Sequence, residues 1–473
     1  MLALPLVLAV AGGAAGLTFL QSEGVTPRAL APYIVKRTGG HNSMIEGAGR
    51  TVASTLSALD RGQVEAYVPP ALRIGAQPDG APAPAGRERL VASIDEARRA
   101  MADAVPGDVV TFLPGEYALR ATVAANRPGT AAAPIVVRAA RPGTVTIAVG
   151  SGEGFNVSAP YWRFENLSLR GSCSQEDDCE HAFHVVGNAH HFVARNNTIR
   201  DFNAHFKING DGHSFPDHGL IESNTLANAG PRKTARPVTP IDLVAASDWT
   251  IRSNLIQDFV KAWGDRTSYG AFAKGAAERT VFERNVVLCE ALLSGQPGQR
   301  IGLSFGGGGT GKPYCRDKRC ITEHAGGTMR ANLVAGCSDS GIYLNSAAGT
   351  QLVDNTVLDT AGVQVRFPTS SASFEGNLVD GPLRADEGGV LRVGDNLHTP
   401  IWQLYLGRHP QRRLLANPPK LDLRWREEAP QRNAAEAGSG LCTPVRGTRR
   451  AYGAFDDYRA CLAEGPAARA APE

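Results

Sequence analysis

One short phrase recurs along the middle of the chain: a residue, then Asn, then two residues that are mostly apolar or β-branched. Its instances are Glu165-Asn166-Leu-Ser, Asn196-Asn197-Thr-Ile, Ser223-Asn224-Thr-Leu, Ser253-Asn254-Leu-Ile, Arg284-Asn285-Val-Val, Ala331-Asn332-Leu-Val, Asp354-Asn355-Thr-Val and Gly376-Asn377-Leu-Val. Spacings of roughly 20 to 30 residues, with one longer gap, are those of stacked repeats. Most repeats also carry an earlier strand-like run, such as His205-Phe-Lys-Ile, Ile241-Asp-Leu-Val, Ala271-Phe-Ala-Lys or Gly341-Ile-Tyr-Leu.

A repeat this short has too little surface to bury its own apolar face. Stacking pairs its strands in parallel and closes a shared core. An Asn at the same corner of every coil can then bond to its neighbours above and below, so these Asn residues read as structural. The composition agrees: 53 Gly and 30 Pro against 7% aromatic residues favour turns over long helices. The expected fold is all-β, a right-handed parallel β-helix (a solenoid) with an N-terminal capping helix near 88–104. That helix is suggested by Leu90, Ile94 and Ala97, followed at once by a strand and a Pro-Gly turn. The expected division is a signal peptide or membrane anchor over 1–20, a peripheral helical segment and Pro-rich linker over 21–86, the capped β-helix over 87–398, and an extension over 399–473. That extension closes the last coil and ends in disorder. Residues 50–59 suggest a short helix in the second segment.

Residues 1–20 are uncharged and mostly apolar, a pattern of export or anchoring. A buried helix is the alternative, which Pro5 and the Gly12–Gly13 pair disfavour. The protein is expected to be exported, whether periplasmic, secreted or anchored facing outside the cytoplasm. Membrane contact is expected only through this segment. Eight cysteines without a CxxC pair suit disulfides better than a metal site. Proximity pairs Cys173 with Cys179, Cys315 with Cys320 and Cys442 with Cys461; coil register pairs Cys289 with Cys337. A net charge of +3 with no Lys/Arg run gives no reason to expect nucleic acid. A monomer is expected.

Several stretches resemble the pectate-lyase-like β-helix superfamily. The helix pattern leading into Pro106-Gly-Asp-Val-Val-Thr-Phe-Leu-Pro-Gly-Glu-Tyr117 is similar to its opening coil. Ile241-Asp-Leu-Val-Ala-Ala-Ser-Asp-Trp-Thr-Ile-Arg-Ser-Asn254 and Phe272-Ala-Lys-Gly275 resemble coils of chondroitinase-B-like and alginate-lyase-like members. Gly447-Thr-Arg-Arg-Ala-Tyr-Gly-Ala-Phe455 resembles a C-terminal signature of the same proteins. The resemblance spans about residues 88–398 plus this tail. It implies cleavage of uronate-containing chains by β-elimination, with a Lys base, an Arg acid and calcium on the substrate carboxylate. Lys274 falls at the base position. The strand that carries the acid Arg reads Gly302-Leu-Ser-Phe-Gly306 here, with Phe305 at the Arg position, and paired Glu calcium ligands are not evident.

Abstracting a proton beside a carboxylate needs a base, a group that neutralises the carboxylate and an acid for the leaving oxygen. The central coils offer His184, His205, Lys207, Asp242, Lys274 and Arg300 on the expected outer face. Strand alternation points Asp242 and Lys274 outward on successive coils. Lys274 is the candidate base, with Lys207 or His205 as substitutes and Arg300 at the rim. Asp242, His184, Trp263, Tyr269 and Phe272 are candidate substrate contacts, the aromatics either stacking on sugars or covering the coil. Asp177, Asp178 and Glu180 could bind calcium, though a solvated disulfide loop is the plainer account. Gly306 to Lys312 mimics a phosphate loop, but Pro313 and the cysteine loop deny it the helix it needs. The partner expected is an acidic polysaccharide. The alternative is a non-catalytic carbohydrate-binding or envelope-assembly protein on the same scaffold.

Overall fold

The structure, a computed structural model, describes residues 16, 18–62, 71–82, 84–307 and 309–463. Most of the apolar segment 1–20, Pro69 and Pro70 of the expected linker, and the end after about Gly465 lie outside the described residues. No described helix is long and apolar enough to cross a membrane.

Three long sheets of 12, 10 and 11 strands are parallel throughout, and successive coils add one strand to each. This is a right-handed parallel β-helix, the hand that parallel crossovers take. Side-chain alternation sorts each strand into core and surface. In the ten-stranded sheet Phe155, Phe183, Phe206, Ile241, Ala271, Leu303, Ile342 and Val363 align as one inward column, all buried. Phe155, Phe183 and Phe206 stack ring on ring at 5.5 and 5.3 Å.

The chain turns from the twelve-stranded to the eleven-stranded sheet in two residues. The first of these takes a left-handed conformation on every coil from Asn166 (φ 62°) through Ser223, Arg284 and Ala331 to Gly376 (φ 70°). Such a φ costs a residue with a Cβ about 1–2 kcal/mol. The second residue is the ladder Asn. Asn197, Asn224, Asn254, Asn285, Asn332, Asn355 and Asn377 each pass a side-chain N–H to the next Oδ1, at 2.8–3.1 Å, and the row ends on Asn396, which accepts from Asn377. Asn166 belongs one position earlier than the sequence phrase suggests. Its coil has Leu167 at the ladder position, whose N–H donates to Asn197 Oδ1.

The N-terminal cap differs from expectation. Residues Arg87–Val91 form a strand in register with Asp108–Phe112, and the helix is only Ile94–Ala102. Arg87 and Arg89 both reach the buried Asp108, at 2.7 and 3.1 Å, and parallel pairing with the next coil outweighs a helical pattern. The helix still lies over the coil end, burying Ala97 and Met101.

The described residues of the segment 21–86 are docked along the solenoid. Helices Pro27–Thr38 and Ser43–Arg61 replace the one short helix expected. Arg28 fixes them: it is buried and bonds Asp60 at 2.7 Å, Asp359 at 2.9 Å and the Cys337 carbonyl at 2.6 Å. The Pro-rich stretch is a strap. Gln77 and Ala81 donate their N–H groups to Asn196 Oδ1 and Asn166 Oδ1 at 2.7 and 2.8 Å, which is why Asn suits these two corner positions.

The tail packs on the flank of the late coils, where the sequence reading had it closing the last one. Arg432 bonds Asp354 and Glu375, at 2.5 and 3.1 Å. A Cβ at Gly376 would lie 2.1 Å from that guanidinium, so only Gly fits there. All four expected disulfides form, with Cα separations of 5.6, 4.8, 5.7 and 5.1 Å. Four bridges suit a chain matured in an oxidising compartment.

Replacing Asn285 by Ala strands buried donors on Asn254 and the Ile251 carbonyl, and takes one of two donors from Asn332 Oδ1. The expected loss is about 3–5 kcal/mol, read as a lower urea midpoint at unchanged slope. A second outcome concerns acid. Burial lowers His205 and His324 to about 3. Unfolded histidines titrate near 6.5, so below that pH the unfolded chain binds more protons. Each site's contribution is whole above about 6.5 and falls as pH drops towards 3, about 2 kcal/mol per site by pH 5. His324→Leu is expected to flatten the stability profile between pH 6.5 and 4, measured by urea unfolding across that range.

Candidate functional site

The outer face of the ten-stranded sheet follows from the same alternation. His184, Lys207, Asp242, Phe272 and Ser304 form one outward column. Asn209, Val244 and Lys274 form the next, two residues along each strand. Lys274 therefore sits diagonally across from Asp242.

Asp242 is spoken for: its Oδ1 lies 2.9 Å from Lys207 Nζ. Lys274 Nζ instead rests 4.4 Å from the centre of the Phe272 ring. Among the described residues it has no carboxylate within ion-pair distance and no hydrogen-bond acceptor. Burial pushes the Lys274 ammonium below the ordinary lysine range; Asp242 opposes this and the Lys207 charge adds to it. The turn after Lys274 is fixed by Gly275 (φ 74°), whose N–H donates to Glu323 at 2.8 Å.

These residues floor a cavity of about 570 Å³. One wall is the loop carrying Asp211 and Phe215; the other is the insertion at 309–320, which contributes Thr310, Tyr314 and Lys318. Arg316 locks the insertion down. Its guanidinium grips both oxygens of Asp217 at 2.7 and 2.9 Å and lies 4.4 Å over the Phe215 ring. Its N–H donates to the Gly275 carbonyl at 2.9 Å, and the Cys315–Cys320 bridge ties the loop to itself.

The structure brings together Lys207, Asp242, Lys274 and Phe272, and removes others. His205 is fully buried and donates to the Ala227 carbonyl at 3.1 Å. Arg300 does not reach the rim. It is buried against Glu290 at 2.7 Å and two backbone carbonyls, because a buried carboxylate there requires a paired cation. Phe305 is also off the face, in the core on His324 at 4.1 Å. His184 lies one strand below Lys207, between Glu153 at 2.7 Å and Asn209 at 3.0 Å. Its hydrogen bond holds the Glu153 carboxyl down at about 2. Tyr269 meets Phe272 edge to face at 5.5 Å, and burial pushes its hydroxyl up. Trp263 is 55% exposed and lies outside the cavity.

The acidic loop does not gather into a cation cage. Asp177 takes the Thr234 hydroxyl, and Arg236 pairs with Asp177 and Glu180. No group of three metal-ligating side chains occurs among the described residues. Nor do the cavity carboxylates fit calcium: Asp242 is paired with Lys207, Asp211 accepts from the N–H groups of His213 and Ser214, and lysines stand beside both. Asn209, Tyr314, Lys318 and the Arg316 clamp were missed from sequence. The only signal was the long interval between Asn285 and Asn332, holding a cysteine loop just after the Lys274 strand.

No family model matches the chain, and no curated protein matches it. Solved structures do. Pectate lyase Pel9A is 16% identical, covering 63% of this chain and 73% of its own, at a TM-score of 0.45. A mannuronic acid specific polysaccharide family 6 lyase from human gut microbiota is 16% identical over 66% and 82%, at 0.41. A rhamnogalacturonan lyase is 11% identical over 66% and 87%, at 0.39. At these values no residue role passes from them to this chain.

The site's electrostatics set an expected outcome. Lys274 should react with an acetylating reagent at lower pH than the solvent-exposed lysines. Asp242→Asn, which removes an attracting carboxylate, should lower that pH further; Lys207→Met, which removes a repelling charge, should raise it. Competitive labelling followed by mass spectrometry across pH reads all three.

Proposed function

We propose that the cavity binds acidic, uronate-containing polysaccharide and cleaves it by β-elimination, with Lys274 as the base. One observation carries this reading: a half-buried ammonium on the open sheet face, without an anionic partner among the described residues and with its proton loosened by burial. An ordinary lysine, with a pKa near about 10.4, stays protonated at neutral pH and cannot serve as a base.

In the proposed step, neutral Lys274 Nζ takes the proton on the carbon beside the uronate carboxylate. The electron pair forms a carbon–carbon double bond and the glycosidic C–O bond breaks. Lys207, through the N–H groups that its bond to Asp242 leaves over, donates to the carboxylate, and the Tyr314 phenol, on the opposite wall, gives the leaving oxygen its proton. Calcium has no step here, because the cavity's residues do not fit it. The four disulfides support export as the setting, where such polymers are met.

A second reading is binding without turnover. It draws on the loss of Arg300 and Phe305 to the interior, which leaves no guanidinium in the acid role. One assay decides between them. The protein is incubated with a panel of uronate polymers, and the ultraviolet absorbance of unsaturated products is followed. The parent is expected to cleave at least one polymer, at a rate rising with pH as Lys274 loses its proton. Lys274→Ala is expected to lower kcat by about 10²–10⁴ with KM little changed, and Tyr314→Phe to lower kcat as well. A polymer bound but never cleaved establishes the second reading. Full activity in Lys274→Ala transfers the base role to Lys207.

A further inference from the structure

The cavity over Lys274 contains hydrogen-bond donors that proton abstraction leaves unused. Thr310 lines it, and the Thr310 hydroxyl oxygen is shut away from solvent with no hydrogen-bond partner among the described residues. The glycine-rich backbone on either side of Thr310 lines the cavity too, and no described residue accepts a hydrogen bond from the N–H groups of Gly309, Thr310 or Gly311. Lys318 reaches the same space. Among the described residues its ammonium bonds only the Pro313 carbonyl, at 3.2 Å.

The two cavity carboxylates do not answer these donors. Asp242 is held by Lys207 at 2.9 Å, and Asp211 accepts from its own loop at 2.7 and 2.8 Å. A buried donor left without an acceptor is costly unless a ligand supplies one. Successive main-chain N–H groups with a cation beside them suit a compact oxyanion. The arrangement is held ready: the Arg316–Asp217 grip fixes the insertion to the coil, and the Cys315–Cys320 bridge ties the loop to itself. It is also close to Lys274, since a Cβ at Gly307 would lie 3.5 Å from Lys274 Cδ.

We propose that the insertion carries a second anion site, made by the Thr310 hydroxyl, the N–H groups of Gly309 and Gly311, and the Lys318 ammonium. It takes a carboxylate or a sulfate ester on the sugar adjoining the one that faces Lys274. This rests on the cavity being an acidic-polysaccharide site and narrows the substrate to chains with anionic groups on neighbouring sugars. The glycine-rich loop is thus a specificity element, although it lacks the helix of a phosphate loop.

The test is a titration of the full ¹⁵N-labelled chain with sodium sulfate and, separately, with galacturonate, each against sodium chloride at matched ionic strength. The Gly309, Thr310 and Gly311 N–H signals are expected to shift saturably with sulfate, galacturonate or both. Which anion acts tells a sulfate ester from a uronate. Lys318→Ala is expected to weaken the response about tenfold and Thr310→Val about threefold, as losses of a charged and a neutral hydrogen bond. Unmoved signals, an equal response to chloride, or unchanged affinity in both Lys318→Ala and Thr310→Val overturn the second site. None of these results depends on turnover. The absorbance assay can therefore fail while this site stands, and the reverse.

Discussion

The two-residue corner between the twelve- and eleven-stranded sheets is the constraint on which the rest of the molecule depends. One residue accepts a left-handed backbone, and the next presents an Asn side chain to its counterpart on the neighbouring coil. The first sharpens the turn enough for two sheets to enclose a single core. The second satisfies corner N–H and C=O groups that would otherwise be buried unpaired. With the corner fixed, side-chain alternation fixes which residues face inward on both adjoining strands. On the twelve-stranded sheet the buried column Phe164, Ala194, Ile221, Ile251, Phe282, Met329, Leu352 and Phe374 follows.

The remaining sides of each coil are free to vary, and the distinctive chemistry collects there. The Lys274 cavity joins scaffold and loops: the sheet supplies a rigid floor, and the loop carrying Asp211 and the insertion at 309–320 supply the two walls. Rigid elements position side chains well, while loops vary at little cost. The insertion gains rigidity from Arg316, which grips Asp217 three coils away from the strand that precedes it. It therefore behaves as part of the scaffold despite its glycine content.

Charge is handled differently inside and outside this cavity. Arg28, Arg300 and Arg432 are buried, and each is matched by carboxylates at hydrogen-bonding distance. Along the twelve-stranded sheet, Arg195, Glu222, Arg252, Glu283 and Arg330 alternate in sign up successive coils. Lys274 breaks this habit, resting on an aromatic ring. Burial without a matching charge loosens a proton.

The sequence by itself determined the solenoid, its coil register to within one residue, the four disulfides and the strand that carries Lys274. All of these follow from periodic or local patterns: the Asn phrase, alternation along strands and short cysteine spacings. The same local reasoning failed where two structures suit one pattern. Residues 87–91 read as helix but pair as strand, because the deciding partner, Asp108–Phe112, lies a full coil away. Arg300 and His205 read as surface groups, yet Glu290 and the packing of neighbouring coils draw them inside. Only the tertiary structure decided that Arg316 reaches Asp217, and so that Thr310, Tyr314 and Lys318 stand over Lys274. An insertion obeys no repeat, and its position is set by a long-range contact that no sequence period encodes.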